Sequence, residues 1–300
     1  MKNPPSRIKA ILIALAVNVV WATSWVFIKI GLEDIPGLTF AGLRYTLAAI
    51  FLFPFLLRKS IKAEVKTLDK LTWIKLIILG MVLFSLAQGG QFLALSYLPS
   101  VSVGLILSMS SLFVAMVSYY AIREKPTWLQ WFGVLLNFGG ILLYFSAFDG
   151  LEGNLWGWIF AFLSLVANGV GTILGRNLNK GGRVSPIVTT TVSMGVGAVL
   201  MLIIGVLWQG FPPLSLKSIG IIVLLASVNT ALAFTLWNYS QQTLGATEAS
   251  VINNTMLVHI AILAWIFLGE KQSINGIIGL ALVTLGAVIV QIKINKSGRV

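Results

Sequence analysis

The sequence has 300 residues, 57% hydrophobic and only 10% charged, with a mean hydropathy of +0.93. A soluble domain carries about a quarter charged residues, so this composition excludes a water-clothed globule and makes lipid the solvent for most of the chain. With no cysteine there is no disulfide, thiolate metal site or Cys nucleophile, and the net charge of +12 sits in loops too short to dock nucleic acid.

A basic stretch, Met1 to Lys9, leads into the first apolar run, Ile8–Gly31. No small-residue cleavage site follows it, so it is expected to be the first span and not a removed leader. The next runs are Pro36–Leu57, Trp73–Leu95, Ser100–Ala121 and Trp128–Ala147. Then come Leu155–Leu178, Pro186–Trp208, Ser218–Ser240, Ala246–Leu268 and Ile274–Ile292. Tyr97-Leu98-Pro99 closes the third and fourth runs into a tight hairpin, and Arg58 to Thr72 forms the one long loop. Open sheet edges are not viable in hydrocarbon and these runs are too long for barrel strands, so each predicts a helix. Ten spans of about 20 residues use roughly 200, which leaves no room for a separate soluble domain. The expected fold is an all-α integral membrane protein of ten transmembrane helices.

Counting Lys and Arg orients it. With a cytoplasmic N-terminus, 17 of the 21 basic residues fall on the cytoplasmic side, and Lys29, Lys217 and Lys271 fall outside. Arg44 lies within a span. This asymmetry follows the positive-inside rule and puts both termini in the cytoplasm.

The chain also repeats. A shift of 146 residues carries Glu124-Lys125 onto Glu270-Lys271, Gly133 onto Gly279 and Gly140 onto Gly286. Pro36 and Pro186 each open a second helix of their half. Two domains are expected, residues 1–149 and 150–300, each with five spans. Five is odd, so the second copy starts from the opposite face and the two five-helix repeats are inverted. That architecture is common in alternating-access carriers, whose substrate site lies at the repeat interface.

Trp21-Ala22-Thr23-Ser24, then Phe27-Ile28-Lys29, Asp34-Ile35-Pro36 and Phe40-Ala41-Gly42-Leu43-Arg44-Tyr45, resemble the opening of EamA-type transporters of the drug/metabolite transporter superfamily. The Glu124-Lys125-Pro126 and Glu270-Lys271 turns resemble the matching turns of each EamA repeat. The resemblance covers essentially the whole chain. It implies a multi-pass protein of the bacterial plasma membrane with a central cavity among eight helices, the fifth and tenth lying outside it. It also implies a carrier, often an exporter of amino acids and related metabolites. One departure stands out: the shift of 150 that pairs the two prolines puts Met194 opposite Arg44.

Ionisable groups inside spans are costly and become candidates for function. Arg44 could anchor a substrate carboxylate or phosphate. The favoured alternative is structural, with Arg44 pairing Glu33, Asp34 or backbone carbonyls near the outer surface, and the resemblance implies the same, since the family's Arg-aromatic pair recurs across carriers of different specificity. His259 is the only histidine. It shares a helical stripe with Glu248, Ile252 and Thr255, so a proton path is conceivable, although packing or substrate contact is the favoured role. Asn18, Trp21 and Trp25 share a face of the first helix, and Gln88 and Gln91 share one of the third. Asn229 and Trp237 lie on the eighth, and Asn253 and Asn254 on the ninth. Trp with a few amides would suit a small amphipathic or aromatic solute, while interhelical glue and interfacial anchoring are the plainer roles. The candidate substrate-binding set is thus Trp21, Trp25, Arg44, Gln88, Gln91, Asn229, Trp237, Asn253, Asn254 and His259. Small-residue stripes at Gly104, Ser108, Ser111, Ala115 and Ser118, and at Gly171 and Gly175, read as close helix packing.

The sequence contains no P-loop and no HExxH. No catalytic residue, metal or cofactor is expected, and the expected partners are a small-molecule substrate and the bilayer. The oligomeric state is open, and a monomer is compatible with the sequence. The leading expectation is a secondary transporter or facilitator that exports small organic metabolites by alternating access. An importer, or a carrier of nucleotide-like or cationic cargo, is the alternative on the same fold. A membrane enzyme or signalling protein is a distant one.

Overall fold

The computed structural model describes residues 5–110, 113, 128–146, 154–179, 184–244, 252–253 and 255–291. Among them every regular element is a helix. In chain order α1 is Arg7–Gly31, α2 Gly37–Leu56 and α3 Lys59–Thr67. A long α4 runs Lys70–Tyr97, followed by α5 Ser100–Ser108, α6 Trp128–Ser146 and α7 Leu155–Asn179. Then come α8 Pro186–Gln209, α9 Leu216–Ser240, α10 Met256–Leu268 and α11 Ile274–Gln291.

Six of these (α1, α2, α4, α7, α8 and α9) are long and apolar enough to cross a bilayer, and shorter apolar stretches lie in α6, α10 and α11. The protein is therefore a multi-pass helical membrane protein. Its outward faces are apolar, with Phe53, Ile203, Leu207 and Leu285 all exposed, as a lipid-bathed surface requires. The fourth predicted run is described as helix as far as Ser108. Its remaining stripe of Ser111, Ala115 and Ser118, the Glu124-Lys125 turn, Glu248 and Asn254 lie outside the described residues.

The helix ends show how the spans are started and stopped. Each helix start leaves backbone N–H groups without partners. The Asp69 carboxylate accepts from the Thr72 amide (3.3 Å) at the start of α4, and Ser215 Oγ accepts from the Ser218 amide (3.1 Å) at the start of α9. Two more starts are capped from a distance by carboxylates, which also suit the positive end of a helix. Glu270 accepts from the amides of Ser100 (2.9 Å) and Val101 (3.3 Å), the first two residues of α5, and Glu64 accepts from the Ser185 amide (2.6 Å) just ahead of α8. The end of α4 is met by a cation: Lys29 Nζ donates to the Leu95 and Leu98 carbonyls, both at 2.7 Å.

Two features were not expected from the sequence. The long Arg58–Thr72 loop contains α3, because Ile61 and Val65 recur at helical spacing and, with Leu68, pack against Leu76, Leu79 and Leu178. In addition, α4 and α9 each contain a π-helical segment, Gly80–Ala87 and Leu225–Leu232.

Packing pairs α2 with α8 and α6 with α11, while α4 lies against α7 and α8, and α1 against α9 and α10. The α6–α11 contact is backbone on backbone. A methyl group on Gly140 or Gly279 would come within 2.7 Å of the other's carbonyl oxygen. The main core gathers Trp25, Phe40, Tyr45, Phe84 and Phe92 where α1, α2 and α4 meet.

Candidate functional site

Arg44 sits eight residues beyond Pro36, roughly 12 Å along the helix at 1.5 Å per residue, and is only 3% exposed. Its Nε donates to Thr230 Oγ1 at 2.7 Å, and Nη2 points at Ser24 Oγ (3.4 Å) and the Asn229 carbonyl (3.5 Å). The guanidinium carbon lies 5.2 Å from the Tyr45 ring centroid and 5.8 Å from that of Phe92, within cation–π range. Neither Glu33 nor Asp34 is its partner. Lys217 Nζ lies 3.5 Å from Glu33, and the Ser218 hydroxyl donates to Asp34 at 3.0 Å. Among the described residues no carboxylate faces Arg44. Of the structural partners expected for it, the backbone carbonyl is the one found.

That carbonyl lies within the π-helical segment of α9, where the usual i→i−4 ladder is displaced. Trp21 Nε1 also donates to it, at 3.1 Å. Asn229 itself is 2% exposed, and its amide donates to the Val20 carbonyl (2.6 Å) and to Thr23 Oγ1 (3.0 Å). One residue of α9 thereby ties α1, α2 and α9 together. The segment in α4 is engaged likewise: Ser164 Oγ donates to the Ala87 carbonyl at 2.6 Å.

Around this polar knot lie aromatic rings. Trp21 is 5.0 Å from Phe234 and 5.2 Å from Trp237, centroid to centroid. Phe84 is 5.3 Å from Phe234 and 5.8 Å from Tyr45. The Tyr45 hydroxyl donates to Gln88 Oε1 at 2.6 Å, one residue past the π-helical segment of α4. Trp21, Gln88, Phe234 and Trp237 are all half-buried. The arrangement offers flat apolar faces beside an amide and a guanidinium.

Of the candidate set, Trp21, Arg44, Gln88, Asn229 and Trp237 come together here. Trp25 is buried in the core beside them, and Gln91 lies buried a turn beyond Gln88. Asn253 is half-buried outside the cluster. His259, also half-buried, has Nδ1 2.8 Å from the carbonyl of Thr255 on its own helix. Asn254 and the Glu248 end of the supposed proton path lie outside the described residues. Asn18 donates from Nδ2 to the Ile252 carbonyl, binding α1 to the chain ahead of α10. Sequence reasoning missed Tyr45, Phe84, Thr230 and Phe234. Tyr45 adjoins Arg44, and Phe234 lies one helical step (i, i+3) from Trp237, so local spacing could have flagged both. Among the described residues no three His, Asp or Glu side chains gather as a metal would need.

A family model described as the EamA-like transporter family matches residues 8–146 and again residues 155–292. Relatives include the uncharacterized transporter YoaV of Bacillus subtilis (strain 168), 22% identical over 93% of this chain and 95% of its own. YvbV of the same organism, also an uncharacterized transporter, is 26% identical over 98% of this chain and 94% of its own. The uncharacterized inner membrane transporter YedA of Escherichia coli (strain K12) is 28% identical over 64% of this chain and 58% of its own. A crystal structure superposes with a TM-score of 0.72 at 17% identity, covering 95% of this chain and 96% of that one. At that identity the likeness speaks for the fold alone.

Proposed function

The chain belongs to the EamA-like transporter family, and on that premise we propose that it is a secondary transporter that exports small organic metabolites, amino acids or related compounds, across the plasma membrane. The observation that carries the reading is the aromatic and amide cluster of Trp21, Gln88, Phe234 and Trp237, half-buried between membrane-spanning helices beside Arg44. An apolar surface with a few placed polar groups is what small-molecule sites use. Trp25, Gln91, Asn229, Asn253, Asn254 and His259 complete the proposed substrate-binding set.

Transport would proceed by alternating access between two inverted five-helix halves, residues 1–149 and 150–300. Three observations support that organisation. The family match falls in two parts. The second helices of the halves pair with each other, as do the fifth with the tenth. The third helix of each half contains one π-helical segment. The basic asymmetry supports cytoplasmic termini. Nucleotide-like cargo or import remains the alternative on the same fold, and a buried guanidinium without a facing carboxylate weighs against a cation.

The test is purified protein in liposomes with labelled amino acids, nucleosides and cationic drugs. Saturable movement of at least one amino acid or related anion is expected. Absence of movement across the whole panel overturns the reading.

A further inference from the structure

Among the described residues, basic side chains are densest on α3 and its flanks. Lys59, Lys62 and Lys66 lie at i, i+3 and i+7, so they share one face of the helix, and Lys70 opens α4 two residues beyond the extended Leu68. All four are exposed, as is Arg58. The opposite face carries Ile61 and Val65, packed with Leu68 onto Leu76, Leu79, Leu178, Val184 and Val188. The two acidic residues of the segment are already engaged: Glu64 caps the start of α8 at Ser185, and Asp69 caps α4 at Thr72. Among the described residues no ion pair is formed by Lys59, Lys62, Lys66 or Lys70.

Position identifies what these charges meet. α3 joins the end of one membrane-spanning helix to the start of another. Exposed Phe53, Phe55 and Leu57 precede it, and exposed Leu71 and Ile74 follow it. Those side chains belong in hydrocarbon, which puts the lysine face at the headgroup layer. The Arg58 guanidinium carbon sits 4.6 Å from the Phe55 ring centroid, a cation anchored on an aromatic at that boundary. The matching connection of the second half, Gly210 to Ser215, has no charged residue. The charge is therefore a property of one connection and not of every loop.

We propose that α3 is a binding surface for anionic phospholipid headgroups, and that its occupancy sets the rate of transport. The coupling is built from contacts. Glu64 on the Ser185 amide ties α3 to the start of α8, and Ile61 and Val65 pack on the apolar cluster that includes Val184 and Val188. Through Leu76, Leu79 and Leu178 it rests on α4 and α7. A helix fixed on the membrane surface holds these three helix ends together, and those ends must shift in any alternating motion. The coupling rests on the transporter reading above; the lipid surface does not.

The experiment uses the full-length protein and the variant Lys59→Gln/Lys62→Gln/Lys66→Gln. Thermal unfolding is followed while phosphatidylglycerol is titrated into a phosphatidylcholine background. Phosphatidylglycerol should stabilise the wild type, less so at high salt. Each basic residue near an anionic surface is worth roughly five-fold in affinity, so the variant should need about 100-fold more lipid for the same shift. Lys59→Arg/Lys62→Arg/Lys66→Arg should behave as wild type. Equal lipid responses in wild type and the Gln variant overturn the proposal. So does an equal shift with inorganic phosphate, which would make the surface a free-anion site. In liposomes, solute movement by the wild type should rise with phosphatidylglycerol fraction and that of the Gln variant should not. A rate independent of that fraction overturns the coupling. No movement in any lipid, with the stabilisation intact, defeats the transport reading and leaves the lipid surface standing.

Discussion

Arg44 is held by two hydroxyls, a carbonyl and two aromatic faces, and each part has a measurable share. Its shortest bond goes to Thr230, and a hydrogen bond to a charged group contributes about 1.5–3 kcal/mol. Thr230→Val should lower the thermal midpoint accordingly, whereas Thr230→Ser, which keeps the hydroxyl, should recover most of it. Asp69 offers a smaller, pH-dependent case. The Thr72 hydroxyl and amide hold its carboxyl below the ordinary value of 3.8. A depressed carboxylate stabilises above its unfolded pKa and loses that contribution as pH falls through the folded one. The first turn of α4 should therefore fray only below about pH 4, as amide exchange at Thr72 and Trp73 would report. In Asp69→Asn the pH dependence should vanish. Arg44 could be singled out from the sequence as a charge inside a span. Its partner could not, because Thr230 lies 186 residues away and nothing local to either residue records the other.

Elements differ in how plainly they announce themselves. The long spans were legible as apolar runs, because lipid forces both length and composition. Helix α3 was not, since nine residues rich in lysine read as a solvated loop until the partners of Ile61 and Val65 are known. The π-helical segments were also hidden: Gly80–Ala87 is as apolar as the α-helix on either side, and hydropathy is blind to one extra residue per turn. The α6–α11 pair was half legible. Gly133, Gly140, Gly279 and Gly286 stood out through the repeat, and Gly140 and Gly279 meet at backbone distance. Backbone cannot yield as a side chain can, so Gly140→Leu should cost at least the 1–3 kcal/mol typical of overpacking. Cysteines placed across the α6–α11 seam should lose their crosslinking in that variant while pairs across α2 and α8 keep theirs.

At the scale of the whole molecule, the proposed orientation is testable with little engineering, since the chain has no cysteine of its own. Lys62→Cys and Lys217→Cys, made separately, should be labelled by an impermeant thiol reagent from opposite sides of the membrane. Labelling of both from one side would refute the orientation and the proposed inverted halves together. The pairing α2–α8 and α6–α11 joins helices about 130 residues apart in sequence.

The wide turns in α4 and α9 have a consequence for how a single helix can serve two neighbourhoods. A wide turn takes up one additional residue without turning the segments that flank it, so the sequence stripe beyond it is shifted by about 100° from a single 3.6-residue period. The part of α4 before Gly80 and the part after Ala87 therefore aim different stripes inward. Phase cannot be altered by a side chain. Removing one residue from 80–87 or 225–232 should close the wide turn into ordinary α-helix and leave both flanking segments facing their partners, whereas the same deletion elsewhere in α4 or α9 should turn half a helix away.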